Sequence, residues 1–290
     1  MKDNLEIESL SLEDHPFFSG LKHIPSPPTS IYLKGILPQK NEKVVAIVGT
    51  RKASSYGEKI AYDLAYNLTK SGFVIVSGLA LGIDSQAHQG ALDAGGITVA
   101  VLANGLDEIY PATNQHLAEK IIKSGGCLLS EYPPKTPSYP NQFILRNRII
   151  SGLAAAVIVV EAPKKSGALA TADFAKKQGR PVFAVPGPVS SKNFEGSHQL
   201  IRNGAKLISN ADDFLSDMGW EIRLQDRVKL DLDSKEKIIF EMLGKISGPV
   251  TVDNICQITK LKPRDVMSAL SSMILKEIIF QEGGKYQINL

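Results

Sequence analysis

The feature that most constrains this chain is a regular alternation, from Lys43 onward, of short apolar runs with segments of helical periodicity. The predicted strands are Val44–Gly49, Phe73–Ser77, Thr98–Leu102, Cys127–Ser130, Ala156–Glu161, Val182–Val185 and Lys206–Ile208. The predicted helices are Gly57–Lys70, Asp84–Asp93, Thr113–Lys123, Arg146–Leu153, Ala168–Gln178 and Ser197–Asn203. Continuous apolar strands that each precede a helix predict an α/β, Rossmann-like domain whose mostly parallel sheet is covered on both faces. Ligands of such sheets bind beyond the carboxyl ends of the strands.

The alternation ends after Met218, and a smaller unit with a different pattern follows. An amphipathic segment, Ser234–Ile246, has Ser234 as its expected N-cap. Its predicted apolar face consists of Ile238, Ile239, Met242, Leu243 and Ile246. Two short helices are predicted at Val252–Thr259 and Pro263–Lys276, and two β-like runs around Gly283 and Gly284 predict a hairpin. Three helices and a hairpin predict a winged-helix domain.

Four segments result from this pattern. Residues 1–42 lack clean periodicity except for a short strand, Ile31–Gly35, so we expect a Pro-rich lead-in there. The Rossmann-like domain is expected over residues 43–218. The charged stretch 219–233 is expected to be a linker, and the winged-helix domain is expected over residues 234–290.

Composition limits the classes of function that fit. The 290 residues carry a net charge of only +3, which is too small to indicate nucleic acid by itself. No apolar run reaches the roughly 18 residues of a membrane-spanning helix, and the acidic N-terminus is unlike a secretory signal. Cys127 and Cys256 lie far apart and away from any metal-binding spacing. We therefore expect a soluble cytoplasmic protein that uses neither a metal nor a cofactor.

The first chemical motif is the turn Gly49–Gly57, directly after the first strand. Gly49 permits a sharp turn, and the backbone N–H groups ahead of the helix can face an anion. Arg51 and Lys52 add positive charge, and arginine suits a two-pronged contact with phosphate. Neither G-x-G-x-x-G nor G-x-x-x-x-G-K-[ST] is present. Taken alone, the motif fits phosphate binding and a solvated basic turn equally well.

The second motif, Ser77–Asp84, ends the second strand and opens a helix. Its glycines allow close backbone approach, and Asp84 can cap the helix. His88 lies one turn further along the same helix face. A catalytic Asp–His pair is conceivable, but no serine or cysteine nucleophile stands in a recognisable elbow. A capping acid and a packed histidine are therefore the preferred interpretation.

The third motif, Phe143–Leu153, starts a helix with two arginines and continues with apolar residues. Arg146 and Arg148 beside a core-facing segment are costly unless an anion or hydrogen-bond acceptor meets them. Phe143 has the ring needed to stack on an unpaired base. Internal salt bridges for the arginines and core packing for Phe143 are the alternative.

The fourth motif, Glu161–Ala172, follows the fifth strand. Its Lys165-Ser166-Gly167 segment precedes a helix start, which makes an anion-receptive turn with a cation beside it. The motifs therefore gather several cations at one expected edge: Arg51, Lys52, Arg146, Arg148 and Lys165. They supply no base beside a nucleophile, no metal cluster and no ribose-binding acid at Rossmann spacing.

These four motifs resemble those of the DNA-processing protein A family (DprA, also called Smf). The matching patterns are G-T-R-x-x-S-x-Y-G, S-G-L-A-x-G-I-D, F-x-x-R-N-R-I-I-x-G-L and E-A-x-x-x-S-G-A-L-x-T-A, in order over roughly residues 15–215. The resemblance implies an extended Rossmann fold that binds single-stranded DNA without established turnover. It also implies a homodimer that delivers the RecA recombinase onto incoming strands during natural transformation and recombination.

The resemblance also implies a set of DNA-binding residues. Arg51 would hold a phosphate with Lys52 beside it, and Phe143 would contact a base. The whole expected set is Gly49, Arg51, Lys52, Ser54, Gly78, Phe143, Arg146, Asn147, Arg148, Lys165, Ser166 and Gly167. One departure is Ala103, where the family usually has glycine. Another is the N-terminal region, which we expect to be too short for the helical domain that some members carry, so no role of that domain is transferred.

Two other functions compete with single-strand binding. A nucleotide-cleaving phosphoribohydrolase would use Glu161, or Asp84 with His88, as acid and base, but the Gly-Gly-x-Gly-Thr loop of those enzymes is missing. Alternatively, the winged helix would contact duplex DNA or a protein partner. Its expected recognition helix offers only Lys262, Arg264 and Lys276, which is sparse for reading a major groove.

Overall fold

The computed structural model describes residues 6–39, 43–220, 232–244, 246, 248–276 and 278–288. The chain divides into two compact units, Met1–Glu221 and Ile222–Leu290. The larger unit therefore includes the expected lead-in together with the Rossmann-like segment. Residues 221–231, most of the expected linker, lie outside the described residues.

A nine-stranded sheet runs through the described part of the larger unit. Its strands are β1 (Glu8–Leu10), β2 (Ile31–Gly35), β3 (Lys43–Val48), β4 (Phe73–Ser77), β5 (Thr98–Leu102), β6 (Cys127–Ser130), β7 (Ala156–Val159), β8 (Val182–Ala184) and β9 (Lys206–Leu207). Their spatial order is β1-β2-β6-β5-β4-β3-β7-β8-β9. All neighbours from β6 to β9 in this order pair in parallel. Strand β2 pairs antiparallel with both β1 and β6. The mostly parallel α/β sheet predicted from the sequence is confirmed.

Helices connect the parallel strands. They are α1 (Ser55–Lys70), α2 (Ile83–Asp93), α3 (Gln115–Lys123), α4 (Pro140–Leu153), α5 (Gly167–Lys177), α6 (Glu195–Arg202) and α7 (Ala211–Asp217). Short 3-10 helices occur at Pro16–His23, Ala112–Asn114 and Lys192–Phe194. Within the described residues, no helix combines the length and apolarity required to cross a bilayer.

The strand order fixes where a ligand can bind. From β3 the chain builds β4, β5 and β6 on one side, and then returns to place β7, β8 and β9 on the other side. The connections after β3 and β7 therefore diverge, which leaves a crevice at their carboxyl ends. The Gly49–Gly57 and Glu161–Ala172 motifs follow those two strands, so both lie at the crevice.

The expected lead-in is part of the core, which corrects the boundary placed at residue 43. Phe18, Leu21 and Ile31 are fully buried, and Phe17 and Ile24 nearly so. The 3-10 helix Pro16–His23 packs on α4. The predicted strand Ile31–Gly35 is confirmed, and it pairs with the parallel sheet through β6. A three-residue strand and a short 3-10 helix are too brief to give a periodicity, so the sequence did not predict them.

Two helices differ from their predicted bounds for local reasons. Helix α4 begins at Pro140, before the predicted Arg146, because proline suits the first helical position and the Gln142 side chain accepts from the Tyr139 N–H at 2.7 Å. Phe143 therefore lies inside this helix. Helix α7 was not predicted; its N-cap is Asn210, whose side chain accepts from the Asp213 N–H.

The smaller unit contains α8 (Ser234–Leu243), β10 (Val250–Thr251), α9 (Val252–Thr259), α10 (Pro263–Leu275), β11 (Ile279–Glu282) and β12 (Lys285–Ile288). Strands β11 and β12 form the predicted hairpin, whose turn residues Gly283 and Gly284 both have positive φ. Asp233, not Ser234, caps α8. The buried face of α8 includes Phe240 and not the expected Ile238, which is 44% exposed. The winged-helix assignment itself stays a prediction.

Phe18→Ala tests whether the N-terminal segment belongs to the core of the larger unit. We expect the free energy of unfolding to fall by about 3–5 kcal/mol, because the ring leaves a cavity. Urea unfolding followed by the fluorescence of Trp220 measures this, since the sequence has one Trp and its ring contacts Phe73 at 5.0 Å. His23→Ala, at an exposed position, is the control and should change stability by less than about 0.5 kcal/mol. A loss below 1 kcal/mol for Phe18→Ala, on the order of a surface change, would contradict this placement.

Candidate nucleic-acid interface

A half-open cavity of about 470 Å³ lies at the crevice beyond β3 and β7. It is formed by the turn after β3, the first turns of α4 and α5, and the loops after β4 and β5. The lining residues are Val48, Gly49, Thr50, Arg51, Ala80, Asp84, Tyr110, Pro140, Phe143, Ile144, Arg146, Asn147, Ile150, Pro163, Lys165, Ser166, Gly167, Ala168 and Thr171. Eight of the twelve expected DNA-binding residues are in this set, although they come from distant parts of the chain.

Arg51 and Phe143 form one unit at the mouth of the cavity. The guanidinium of Arg51 lies over the Phe143 ring, with its carbon 4.8 Å from the ring centroid. Tyr110 contacts the same ring at a centroid distance of 5.3 Å and is itself 42% exposed. The ring thus holds an exposed, permanently charged group in a defined position by a cation–π contact. A small neighbouring pocket of about 60 Å³ shares these three residues and includes Gly78 in its lining.

Arg146 lies at the floor of the cavity and is only 4% exposed. Its guanidinium donates to the carbonyl oxygens of Gly78, at 2.9 Å, and Val101. These carbonyls stand at the ends of β4 and β5, so Arg146 ties two strands to α4. Burial lowers the pKa of Arg146 to about 10, and the positive charge of Arg51 acts in the same direction. Arg146 therefore stays charged at neutral pH and adds positive potential beneath the exposed Arg51.

Asp84 has a different role from the helix cap that was expected. The N-cap of α2 is Gly82, and the Asp84 carboxylate accepts from the N–H groups of Gly78 at 3.1 Å and Ala80 at 3.4 Å. It therefore fixes the loop that joins β4 to α2. Burial raises the pKa of Asp84, and the nearby charge of Arg146 partly offsets this.

His88 is packed in the interior, as preferred from the sequence. Its Nδ1 lies 2.7 Å from the Thr98 hydroxyl, which donates its proton to the Ile75 carbonyl. Because that hydroxyl has only one proton, His88 Nδ1 must be the donor to Thr98. Burial lowers the pKa of His88 to about 3, so the ring is neutral. Its hydrogen bond goes to Thr98, and that of Asp84 goes to backbone N–H groups, so the two side chains are engaged separately.

The start of α5 forms the opposite wall of the cavity. Ser166 caps this helix by accepting from the Ala168 N–H at 3.2 Å. The Asn147 side chain donates to the Gly167 carbonyl at 3.1 Å and so fixes α4 against this turn. Lys165 is exposed beside it. A helix N-terminus with an adjacent lysine favours an anion in front of it.

Three of the expected residues line neither the cavity nor its small neighbour. Arg148 is buried, forms an ion pair with Glu131, with a shortest distance of 2.5 Å, and donates to the Ser26 carbonyl. Ser54 caps α1 and bonds to Glu161. Lys52 is exposed but is not among the lining residues. Arg148 and Ser54 thus follow the internal alternative, because acceptors within the fold satisfy them.

Glu161 lies just after β7 and is fully buried, and its carboxylate accepts from the neutral donors of Ser54 and Asn193. The Ser54 N–H lies 3.1 Å from each carboxylate oxygen, and the Ser54 hydroxyl lies at 2.8 Å. The Asn193 side chain donates at 2.5 Å. Glu161 does not line the cavity, so it is poorly placed for the acid–base role that the hydrolase alternative requires.

Several cavity residues were not expected from the sequence, notably Thr50, Tyr110, Ile144 and Thr171. Tyr110 lies in the loop after β5, whose carboxyl end faces the same edge of the sheet. That position was the available signal, but the loop has no glycine–cation pattern to draw attention to it. Ile144 follows from the extension of α4 to Pro140, which the sequence pattern did not predict.

Comparison with known proteins gives a consistent result. The chain is 40% identical over 253 residues to a putative DNA processing protein DprA of Mycobacterium tuberculosis, which covers 85% of this chain and 64% of that protein. It spans less than two thirds of that relative's length. A crystal structure of DNA processing protein A from Streptococcus pneumoniae matches with a TM-score of 0.69 and 39% identity, covering 74% of this chain and 76% of the other.

A structure of DNA processing protein A from Helicobacter pylori, which concerns its mode of binding single-stranded DNA, matches with a TM-score of 0.65 and 31% identity. It covers 75% of this chain and 98% of the other. The model of the DNA recombination-mediator protein A family matches residues 8–219. That range begins at β1 and ends just after α7, so it includes the N-terminal strands as well as the cavity. The chain therefore belongs to the DNA recombination-mediator protein A family.

Proposed function

We propose that this protein binds single-stranded DNA in the cavity beyond β3 and β7. The observation that carries the proposal is the convergence of Arg51, Lys165 and the N-terminus of α5 on one half-open cavity. An exposed arginine, an exposed lysine and a helix N-terminus are three independent attractions for the phosphates of one strand. The single-strand binding mode named for the Helicobacter pylori relative supports the same ligand.

The aromatic groups at the mouth favour an unpaired strand over a duplex. Tyr110 presents a partly exposed ring, and Arg51 presents a flat guanidinium supported by Phe143. Bases stack on both kinds of surface without regard to sequence, and only unpaired bases can do so. Because Arg51 lies over the Phe143 ring, we propose that Phe143 contacts the base chiefly through the group that it supports.

The finer role follows from family membership. We propose that the protein acts as a homodimer which loads the RecA recombinase onto bound strands, in DNA uptake by natural transformation or in homologous recombination. The small net charge of +3 fits a protein that holds DNA at one concentrated site and leaves the rest of its surface for protein contacts.

We also propose that the protein binds DNA without cleaving it. Asp84 accepts from backbone N–H groups, and the hydrogen bond of His88 goes to Thr98. Neither side chain is paired with a nucleophile in the way that acid–base catalysis requires.

A salt series of binding to oligo-dT tests the DNA site. Arg51→Ala should weaken binding about tenfold and reduce the slope of log affinity against log salt by about one phosphate contact. Phe143→Ala should weaken binding by about tenfold and leave the slope near the wild-type value, because the charge of Arg51 remains. Fluorescence anisotropy with a labelled oligonucleotide measures both quantities.

Arg202→Ala is the matched control, since Arg202 is exposed in the last turn of α6, away from the crevice end of that helix. It should leave affinity and slope unchanged. A wild-type protein that prefers duplex DNA, or that tolerates both Arg51→Ala and Phe143→Ala, would rule out this site.

RecA loading makes a separate prediction. The wild-type protein should shorten the lag of RecA-dependent ATP hydrolysis on single-stranded DNA coated with a single-strand binding protein. Arg51→Ala should leave the lag as long as in the absence of the protein, and Arg202→Ala should behave as wild type. Light scattering on the purified protein alone reports whether it is a dimer. A wild-type protein that binds DNA without altering the lag would refute the loading role and leave the DNA site intact.

A further inference from the structure

The turn that carries Arg51 is attached to Glu161 at both of its ends. At the start, the Thr50 N–H donates to the Glu161 carbonyl at 2.7 Å. At the other end, the N–H and hydroxyl of Ser54 donate to the Glu161 carboxylate. Asn193 adds a third link, because its side chain donates both to this carboxylate and, at 3.1 Å, to the Lys52 carbonyl.

The carboxylate occupies the place where Rossmann domains usually hold a phosphate. That place is the N-terminus of the helix after the first parallel strand, here α1 after β3. Ser54, the N-cap of α1, gives its backbone N–H to Glu161. Gly57, in the first turn, lies so close that a Cβ atom there would be 1.8 Å from the Glu161 Oε2. The first turn of the helix is therefore closed around a carboxylate of the same chain.

We propose that Glu161 is an internal anion that closes this phosphate position to free nucleotides and holds the turn so that Arg51 faces the cavity. The proposal rests on the function proposed above and names a specificity-determining and positioning residue for the same site. The negative charge of Glu161 repels a terminal phosphate at the start of α1. The groups at this edge that are left for a phosphate are Arg51, Lys165 and the start of α5, all of which lie on the open cavity.

The positioning role follows from the geometry of the turn. Arg51 lies between Thr50 and Ser54, which Glu161 holds through its carbonyl and its carboxylate. Without the carboxylate, the N–H and hydroxyl of Ser54 lose their acceptor, and the turn is free to leave the Phe143 ring. Arg51 then pays ordering entropy when it binds a phosphate, and affinity falls.

A double-mutant cycle on oligo-dT binding tests the positioning role. Glu161→Ala and Arg51→Ala should each weaken binding about tenfold, and the double variant should bind no more weakly than Arg51→Ala alone, because both changes remove the same contact. Acetate should restore the affinity of Glu161→Ala and should not restore that of Arg51→Ala. If the two losses multiply, or if acetate has no effect on a folded Glu161→Ala, the positioning role is wrong.

Asn193→Ala provides a second variant in case Glu161→Ala does not fold. It removes one donor to the carboxylate and the link to Lys52. It should also weaken oligo-dT binding, and this loss should disappear when Arg51 is already replaced by alanine. Asn210→Ala is the matched control, because this asparagine caps α7 and does not line the cavity. It should reduce stability without changing DNA affinity. An Asn193→Ala protein with wild-type affinity would count against the positioning role.

Calorimetry with AMP tests the exclusion of free nucleotides. Wild type should show no heat of binding at millimolar AMP, and Glu161→Ala, or Glu161→Gln in its place, should gain measurable binding. Tight AMP binding by the wild type would overturn the exclusion. If the wild type fails to bind oligo-dT, the DNA function itself fails; if it binds and depends on Arg51 but not on Glu161 or Asn193, only the present inference fails.

Discussion

The reversal of strand order between β3 and β7 is the constraint on which the rest of this structure depends. Parallel strands end at a common edge, and their carboxyl-terminal carbonyls face that edge without further ladder partners. Where the chain turns away in opposite directions, helices cannot cover the edge. Side chains such as Arg146 bond to carbonyls at this edge, and glycine turns line the rest of it. The space that they leave open is the cavity. Scaffold and site therefore share one region.

Charged groups at this edge divide into two sets by burial. Arg146 and Arg148 are buried, and each is satisfied by acceptors of the fold, so removing either would leave orphaned partners. Arg51 and Lys165 are exposed and have room for an external anion. Burial thus separates the arginines that support the fold from the arginine that is available to a ligand. Arg146 also adds positive potential to the cavity, since it lies at the cavity floor and keeps its charge at neutral pH.

The sequence predicted the parallel sheet closely because buried strands leave long apolar runs, and each run is followed by a helix with a distinct period. Strand direction also led us to expect five cations at one edge, namely Arg51, Lys52, Arg146, Arg148 and Lys165; of these, Arg51, Arg146 and Lys165 line the cavity. The sequence could not separate Arg146 from Arg148 as a cavity residue, since their side-chain directions depend on the start of α4 and on partners more than a hundred residues away, such as Ser26. The sequence predicted β2 but missed β1, a three-residue strand that is defined by its pairing with β2 and not by a local pattern.

The acids of this edge illustrate why residue type alone does not establish catalysis. The hydrolase alternative would use either Glu161 or Asp84 with His88, and all three side chains are buried. Each has been given hydrogen-bond partners that a reacting group would have to leave. The Asp84 carboxylate bonds to backbone N–H groups, and the Glu161 carboxylate bonds to the start of α1. Acids in such positions act as anchors for the loops that present cations, and the exposed chemistry of the cavity is left to positive charge and aromatic surface. Positive charge and aromatic surface suit the binding of an anionic polymer through many weak contacts. They are less suited to holding one bond in place for cleavage.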